Sequence, residues 1–489
     1  MKKLVSLLLV VMMVLTMAPA LADDRIEIIV GTNSLNNGHP EDPADNFIEQ
    51  KILADTGVQW TMTKVDDYWT AMAQRIIGDN LPDVFYMTPE YLKTYAIDEE
   101  VVLDLTPYMD NELKAVFDWL GNTVLTPYTL GGKLYGIPKY YDSQSQWGIN
   151  IREDWLKALN LEVPETLQDL YDVAKAFVEQ DPDGNGVADT LGVSGAKGLP
   201  VFQMMAGAYD TAFGNYIILR DGKVTNTLLQ PGVKDALIWA KKFVDDGLVD
   251  PDVASTAGTN KMIAGQVGIM MVTWPGLWKQ YGQDNMKAVN PNADLCVAGP
   301  LASEVGAEPA LYPVAAVGGS SFYVLNANLA DQPEKLEAVL KVLNYLVSDE
   351  GYYSTMYGLE GIHWVVDEAT GLRKMTDRAS EANYLAAYQM YNRVEMEYLM
   401  TKFPEAKEAF DHSLNMKNIA YYNSMVQPPE EMYLAEMEGY INNQLTAFIY
   451  GERPIDEYDA FLDELRDLYM FDEYMEAATE QLNSYGYGV

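Results

Sequence analysis

The chain is 489 residues long, 48% hydrophobic and 21% charged, with 72 acidic residues against 33 basic ones and a formal net charge of −39. A chain of this length exceeds one ordinary core and fits two or three packed domains. So negative a chain argues against nucleic acid and anionic membrane surfaces as partners, because binding to either rests on positive charge.

Residues 1–22 read as a secretory signal peptide. Lys2 and Lys3 start it, Leu4 to Met17 is apolar, and Ala20-Leu21-Ala22 puts small residues at −3 and −1 of a cut before Asp23. No later stretch holds about 20 uninterrupted apolar residues, so no membrane span is expected. Cys296 is the single cysteine. It leaves no disulfide framework and no cysteine at the cut to carry a lipid. The expectation is a protein free in a periplasm or outside the cell, held together by core burial.

"DRIEIIVGT" (24–32) reads as a strand, and "NFIEQKILADTGVQW" as a helix with Phe47, Ile48, Ile52 and Leu53 on one side, leading into a strand over 58–63. A helix with a stop at Gly78 and a strand at 83–87 follow. This alternation with short connections argues for an α/β layer with a mostly parallel sheet. The middle repeats the pattern. Thr166 and Asp169 form a capping-box-like start to "LQDLYDVAKAFVEQ", with Leu167, Leu170, Ala174, Phe177 and Val178 on one face. "PGVKDALIWAKKFVDDG" is a helix stopped by Gly247, "KMIAGQVGIMMVTW" a short helix turning into a buried strand, and 331–348 a helix. From about 376 to 484 the chain reads as mainly helical, with breaks near Pro404, Pro428-Pro429 and Pro454.

At 179–192, "EQDPDGNGVADTLG", acidic residues alternate around two glycines. A calcium loop of the EF-hand type places oxygen ligands at positions 1, 3, 5, 7 and 9 with glycine at 6. Counted from Asp181 these are Asp181, Asp183, Asn185, the Val187 carbonyl and Asp189, with Gly186 at 6. Position 12 is Gly192 instead of glutamate, so another residue or water must complete the shell. Hard oxygens point to calcium, and a site between a helix and a strand points to a structural role. The bland alternative is a solvated Asp/Gly turn.

Catalytic signatures are scarce. His39, His363 and His412 lack zinc-ligand spacing. No nucleophile elbow, P-loop or dinucleotide fingerprint occurs. A glycosidase carboxylate pair is not excluded among so many acids. Aromatics are the other excess: 33 Tyr and 9 Trp. Tyr68, Trp69, Tyr86, Tyr140, Tyr141, Trp147, Tyr209, Trp274 and Trp278 fall at predicted element ends. A ring with a flat apolar face and a polar edge suits a sugar, and several at loop tips suit a cleft.

Five ordered segments carry a family resemblance: "ILADTGVQWTMTKVDDYWTAMAQRIIGDNLPDVFYM", "GKLYGIPKYYDSQSQWGINIREDWLKALNLEVPETLQDLYDVAKAFVEQDPDGNGVADTLGVSG", "ALIWAKKFVDDGLVDPD", "GQVGIMMVTWPGLW" and "GYYSTMYGLEGIHWVV". In this order they resemble the extracellular solute-binding proteins of ABC importers that take sugars and oligosaccharides. The resemblance implies an α/β, two-lobed periplasmic binding protein (type II) fold with hinge crossovers and a helical C-terminal region. It implies crossings near 140–147, 314–322 and 362–372. Lobe one is then 23–142 plus 318–370, and lobe two 143–317 plus 371–489. It implies a ligand-binding set of Asn33, Tyr68, Trp69, Tyr86, Tyr141, Trp147, Arg152, Tyr209, Trp274, Trp278, His363 and Trp364, with Arg152 touching the ligand or pinning the hinge. The acidic loop resembles one in relatives that bind long oligosaccharides, but Thr190 stands where those have an acidic residue. The implied activity is binding without chemistry. The partners are a sugar or oligosaccharide and membrane permease subunits, and the implied state is a monomer. Against it stand a secreted calcium-containing glycosidase or lyase, and the same fold binding a non-sugar solute.

Overall fold

The computed structural model describes residues 25–36, 38–121, 124–139, 147–187, 189–273, 275–278, 280–317, 321–391 and 393–488. The expected signal segment, Tyr141, Trp274 and most of the first expected crossing lie outside the described residues.

The first strand, Ile26–Thr32, buries Ile28 and Val30 completely and sits centrally, parallel to Val58–Lys64 on one side and to Val84–Met87 on the other. Phe322–Leu325 returns nearly 240 residues later and pairs antiparallel with Val84–Met87. Its four residues are all buried, as expected of a strand covered on both faces. Helix Phe47–Thr56 connects the first two strands. Asn46 caps it, and Gly57 ends it at φ +74°, a left-handed conformation that costs glycine least. Helix Pro333–Val347 packs against the first strand and buries Leu336, Val339, Leu340, Val342, Leu343 and Leu346, each worth roughly 1.5–3 kcal/mol of transfer free energy.

The second sheet runs in the order Leu295–Ala298, Trp147–Arg152, Val267–Thr273, Leu191–Gly195. Its last two strands are parallel and the others antiparallel to their neighbours. Helix Leu167–Glu179 lies on it behind the predicted capping box: Thr166 accepts from the Asp169 amide and Asp169 from the Thr166 amide. Leu167, Leu170, Ala174 and Phe177 are buried as the periodicity predicts, with Val173 and Ala176 joining them and Val178 only half-buried.

The tail, read as mainly helical, also contributes a strand. Ile419–Tyr421 is a strand, inserted between Pro313–Ala315 and Ile217–Arg220 in a third sheet that ends in Lys223–Asn226. This sheet ties the tail to lobe two.

Among the described residues there are two large cores, one per lobe, and the chain changes core between 137 and 149, 317 and 322, 346 and 352, 364 and 382, and 391 and 398. Two stretches therefore differ from the expected lobe boundaries. Tyr352, Met356, Tyr357 and Trp364, expected in lobe one, pack in the core of lobe two. Ala382 to Tyr391, expected in lobe two, pack in the core of lobe one. For the second stretch the reason is a buried polar cluster that sequence periodicity does not encode. Tyr384 donates to Asn46 Oδ1 (3.1 Å), and Tyr388 donates to Glu49 Oε1 (2.8 Å) while accepting from Asn46 Nδ2 (2.7 Å). A buried polar group left without a partner is expensive, so the cluster holds this distant segment on helix Phe47–Thr56.

Candidate functional site

In open α/β sheets, ligands bind in the crevice beyond the carboxyl ends of the parallel strands. In lobe one those ends are Thr32, Lys64 and Met87. Asn33 follows the first directly and is exposed; Tyr68 and Trp69 open the helix after the second; Tyr86 lies in the third. The three aromatic rings meet: Tyr68 stands edge-on to Trp69 at 5.0 Å and to Tyr86 at 5.5 Å. Tyr68 is buried and its hydroxyl donates to the Tyr86 carbonyl at 2.7 Å, which fixes it beneath the others. Tyr323, opposite Tyr86 across the antiparallel pair, donates to Thr32 Oγ1 at 3.3 Å.

In lobe two the corresponding ends are Gly195 and Thr273. Trp147 pairs with Thr273 and so stands at the same end, half-buried. Trp274 follows Thr273 in the chain but lies outside the described residues. Asn33, Trp69 and Tyr86 thus gather on one sheet end, and Trp147 marks the other.

The remaining expected ligand residues within the described residues are buried and hold other partners. Trp278 is 6% exposed and donates from Nε1 to Asn150 Oδ1 at 2.9 Å. Asn150 in turn donates to the Gly148, Met270 and Val272 carbonyls, so this pair is a hydrogen-bond hub inside the sheet. Arg152 is at the far end of its strand from Trp147, roughly 17 Å away at ~3.3 Å per residue. It is buried, stacks over Trp155 at 4.8 Å and forms a bidentate pair with Asp154 at 2.8 and 2.6 Å. It therefore neither lines the strand ends nor pins a crossing. Tyr209 is buried and donates to Glu304 Oε1 at 2.7 Å; burial and then that carboxylate push its phenol up.

His363 is buried against Phe47 at 4.6 Å and accepts the Leu359 amide at Nδ1, 2.8 Å away. Burial lowers its pKa, so it is a neutral packing residue near pH 7. Trp364 is in the lobe-two core with its Nε1 bonded to the Gly358 carbonyl at 2.9 Å. Gly358 (φ +88°) has no room for a side chain, since a Cβ there would come within 2.5 Å of His363 Nδ1.

Two contributors at the strand ends have no signal in the sequence. Tyr91 lies face to face on Trp69 at 3.7 Å, and Tyr312 on Trp147 at 4.0 Å. Both come from other elements, so only tertiary structure brings them there. At the first crossing, Lys139 is hemmed in enough that desolvation, helped by nearby Arg393, pushes its ammonium down to about 8. A separate cavity of about 230 Å³ lies at the Arg152 end of lobe two, lined by Trp278, Met286 and Leu295 together with Glu153, Asp294, Glu405 and Glu408. It is at the opposite end of strand Trp147–Arg152 from Trp147.

The acidic loop departs from helix Leu167–Glu179 with Asp181, Gly184 and Gly186 all at positive φ. Asp181 Oδ2 accepts the Gly186 amide at 2.9 Å, while its Oδ1 is buried without a partner. The Asn185 side-chain amide donates to Asp183 Oδ2 (2.8 Å) and Asp189 Oδ1 (3.1 Å), and the Val187 carbonyl accepts the Asp189 amide at 3.0 Å. Desolvation, then repulsion from Asp181 and Asp189, raises the Asp183 pKa. Among the described residues, no three Asp, Glu, His or Cys side chains are gathered closely enough to hold a metal ion. The donor set nonetheless suits a hard cation: every group offers oxygen, and one buried carboxylate oxygen is orphaned. Thr190 is no part of it, because its hydroxyl donates to the Phe177 carbonyl at 2.6 Å.

Two α/β lobes, each with aromatic residues at its strand ends and joined by several crossings, define a two-lobed solute-binding protein of the type II fold. The model for bacterial extracellular solute-binding proteins matches residues 41–353, and the chain belongs to that family. It is 31% identical over 249 residues to the polygalacturonan/rhamnogalacturonan-binding protein YtcQ of Bacillus subtilis (strain 168), a stretch covering 48% of this chain and 46% of that protein. The matched stretch thus spans under half of that relative. In structure it is similar to the S. pneumoniae ABC-transporter substrate-binding protein FusA in complex with kestose, with a TM-score of 0.73 at 20% identity, over 94% of this chain and 99% of that one. FusA has also been solved as an EF-hand mutant with fructo-nystose. The alginate-binding protein AlgQ2 without calcium ion gives a TM-score of 0.74 at 15% identity, over 94% and 98%. At these identities the structural likenesses show the fold.

Proposed function

We propose that the chain is the extracytoplasmic binding component of an ABC importer, one that captures a sugar or oligosaccharide between its lobes and delivers it to a membrane permease without chemistry. The observation that carries this reading is the pair of tryptophans, Trp69 and Trp147, standing at the strand ends of different lobes. An aromatic face matches the apolar C–H face of a sugar ring, and nearby polar side chains such as Asn33 satisfy hydroxyls that leave water. Contacts to the second lobe form only on closure, so ligand shifts the population toward the closed state. The names of the relatives, for polygalacturonan, kestose and alginate, support a carbohydrate. A location in a periplasm or outside the cell accords with the family.

The test is a thermal-shift and calorimetry series with kestose, trigalacturonate and alginate oligosaccharides. Stabilisation by at least one is expected. No response to any of them, with a response to another solute class, refutes the sugar reading. Release of product in catalytic amounts from a bound glycan refutes the non-enzymatic one.

We further propose that Asp181, Asp183, Asn185, the Val187 carbonyl and Asp189 draw together on a structural calcium ion, which would offset the repulsion of Asp183 by Asp181 and Asp189. A chelator is expected to lower the melting temperature of wild type and to leave Asp181→Ala with Asp183→Ala unchanged. Equal melting of wild type with and without chelator, with no copurifying metal, removes the calcium from the account.

A further inference from the structure

Among ring pairs between described residues, the two with the closest centroids both fall at the strand ends, one in each lobe. Tyr91 lies on Trp69 at 3.7 Å and 17° between planes; Tyr312 lies on Trp147 at 4.0 Å and 10°. Aromatic pairs in proteins commonly sit with centroids about 4.5–7 Å apart and offset or edge-on. Two near-parallel contacts shorter than this, at the two tryptophans of the proposed site, are a shared construction.

In each case the tyrosine comes from a different element than the tryptophan. Tyr91 is carried by the short helix Pro89–Lys93 that follows strand Val84–Met87, whereas Trp69 follows strand Val58–Lys64. The contact therefore ties two neighbouring strand-end loops together. Trp69 is also met edge-on by Tyr68 at 5.0 Å and Tyr95 at 6.0 Å, so its plane is set from several directions. Tyr312 precedes strand Pro313–Ala315, and its carbonyl accepts the Ile419 amide at 3.0 Å. The tail strand is thereby linked to the segment that orients Trp147. All four stacked residues are half-buried, so each pair is held in the fold while keeping part of its surface open to solvent.

We infer that Tyr91 and Tyr312 are positioning residues for ligand binding: each fixes the ring plane of the tryptophan it covers, so that the platform is ordered before ligand arrives. The inference rests on the proposed reading of Trp69 and Trp147 as ligand platforms. Ordering one rotamer-rich side chain at an interface costs several-fold in affinity. Loss of either tyrosine ring is therefore expected to weaken binding about 3- to 10-fold by this route. A flat ring is needed, because an aliphatic side chain of similar volume does not hold a plane.

The test uses the full chain labelled with 5-fluorotryptophan, with the Trp69 signal assigned from Trp69→Phe and the Trp147 signal from Trp147→Phe. Affinity is measured for kestose, trigalacturonate or an alginate oligosaccharide, whichever binds wild type. Tyr91→Leu is expected to shift or broaden the Trp69 fluorine signal alone and to weaken binding in the stated range, and Tyr91→Phe is expected to restore both. In a Trp69→Phe background, Tyr91→Leu is expected to add no further loss. Tyr312→Leu repeats the measurement in lobe two and keeps the test open if Tyr91→Leu does not fold. Unchanged affinity in both leucine variants, or an equal loss in the Trp69→Phe background, overturns the positioning role while leaving the sugar reading in place. Wild type that responds to none of kestose, trigalacturonate and alginate oligosaccharides but to another solute class overturns both.

Discussion

Removing the Asp154 carboxylate probes the reassignment of Arg152 from ligand contact to buried structural cation. The Arg152 side chain is 1% exposed and that of Asp154 13% exposed. Two short hydrogen bonds join them, and the Asn290 side chain and Asp294 amide approach the same carboxylate at 3.5 and 3.4 Å. Asp154→Ala leaves the guanidinium buried without its counter-charge. Breaking a buried pair from one side costs about 3–5 kcal/mol. The partial exposure of Asp154 lets water reach the gap, so the lower end, about 3 kcal/mol, is expected. Because each lobe has its own core, the loss falls on the lobe-two transition, where it moves the urea midpoint down by about 1–1.5 M for a slope near 2–3 kcal/mol/M. Replacing both partners, Arg152→Met with Asp154→Leu, is expected to stay within about 1 kcal/mol of wild type, since no uncompensated charge remains. Ligand affinity of the folded variants is expected to be unchanged. A midpoint shift under 0.3 M, on the scale of about 2–3 kcal/mol/M, refutes the burial argument. A tenfold affinity loss with stability intact returns Arg152 to the ligand.

Glu49 supplies a pH prediction. Burial is the main cause of its raised pKa, above the ordinary value near 4.5, and the bonds from Met62 and Tyr388 only partly oppose it. A raised carboxylate pKa means the folded state binds more protons than the unfolded one. The stability tied to this group is thus fully present below about pH 4.5 and lost as pH rises through the folded value. Glu49→Gln should flatten the melting temperature against pH over that window; an unaltered profile contradicts the assignment. Trp278→Phe leaves Asn150 Oδ1 without its donor and is expected to cost about 1–3 kcal/mol in stability, with ligand affinity unchanged by calorimetry. An affinity loss without destabilisation places Trp278 back in the cleft.

Much of lobe one is legible in the chain as written, because its elements are local. The helix over 47–56 has its cap, its apolar face and its terminal glycine within one short stretch, and the strands on either side, IEIIVGT and the alternating VQWTMTK, carry their β pattern locally. The capping box at Thr166 and Asp169 is equally local. The site is less legible. Trp69, Tyr86 and Trp147 are marked by their place at strand ends, but so is Trp278, whose indole bonds Asn150 128 residues away. Arg152 and Asp154 are two residues apart, yet nothing in "IREDW" reports that the strand buries the guanidinium.

The amino-acid sequence by itself determined many of the strands and helices, though not the tail strand Ile419–Tyr421, together with the α/β class and the two-lobed family, because periodicity, caps and ordered segments are properties of neighbouring residues. Tertiary structure alone decided which lobe owns each late segment. Tyr384 and Tyr388 join lobe one only because Asn46 and Glu49 wait there as buried hydrogen-bond partners. It also decided which aromatics stand half-buried at the strand ends and which fill the core. Ring for ring their chemistry is alike, and what separates Trp69 from Trp278 is the set of side chains that distant parts of the chain bring against them.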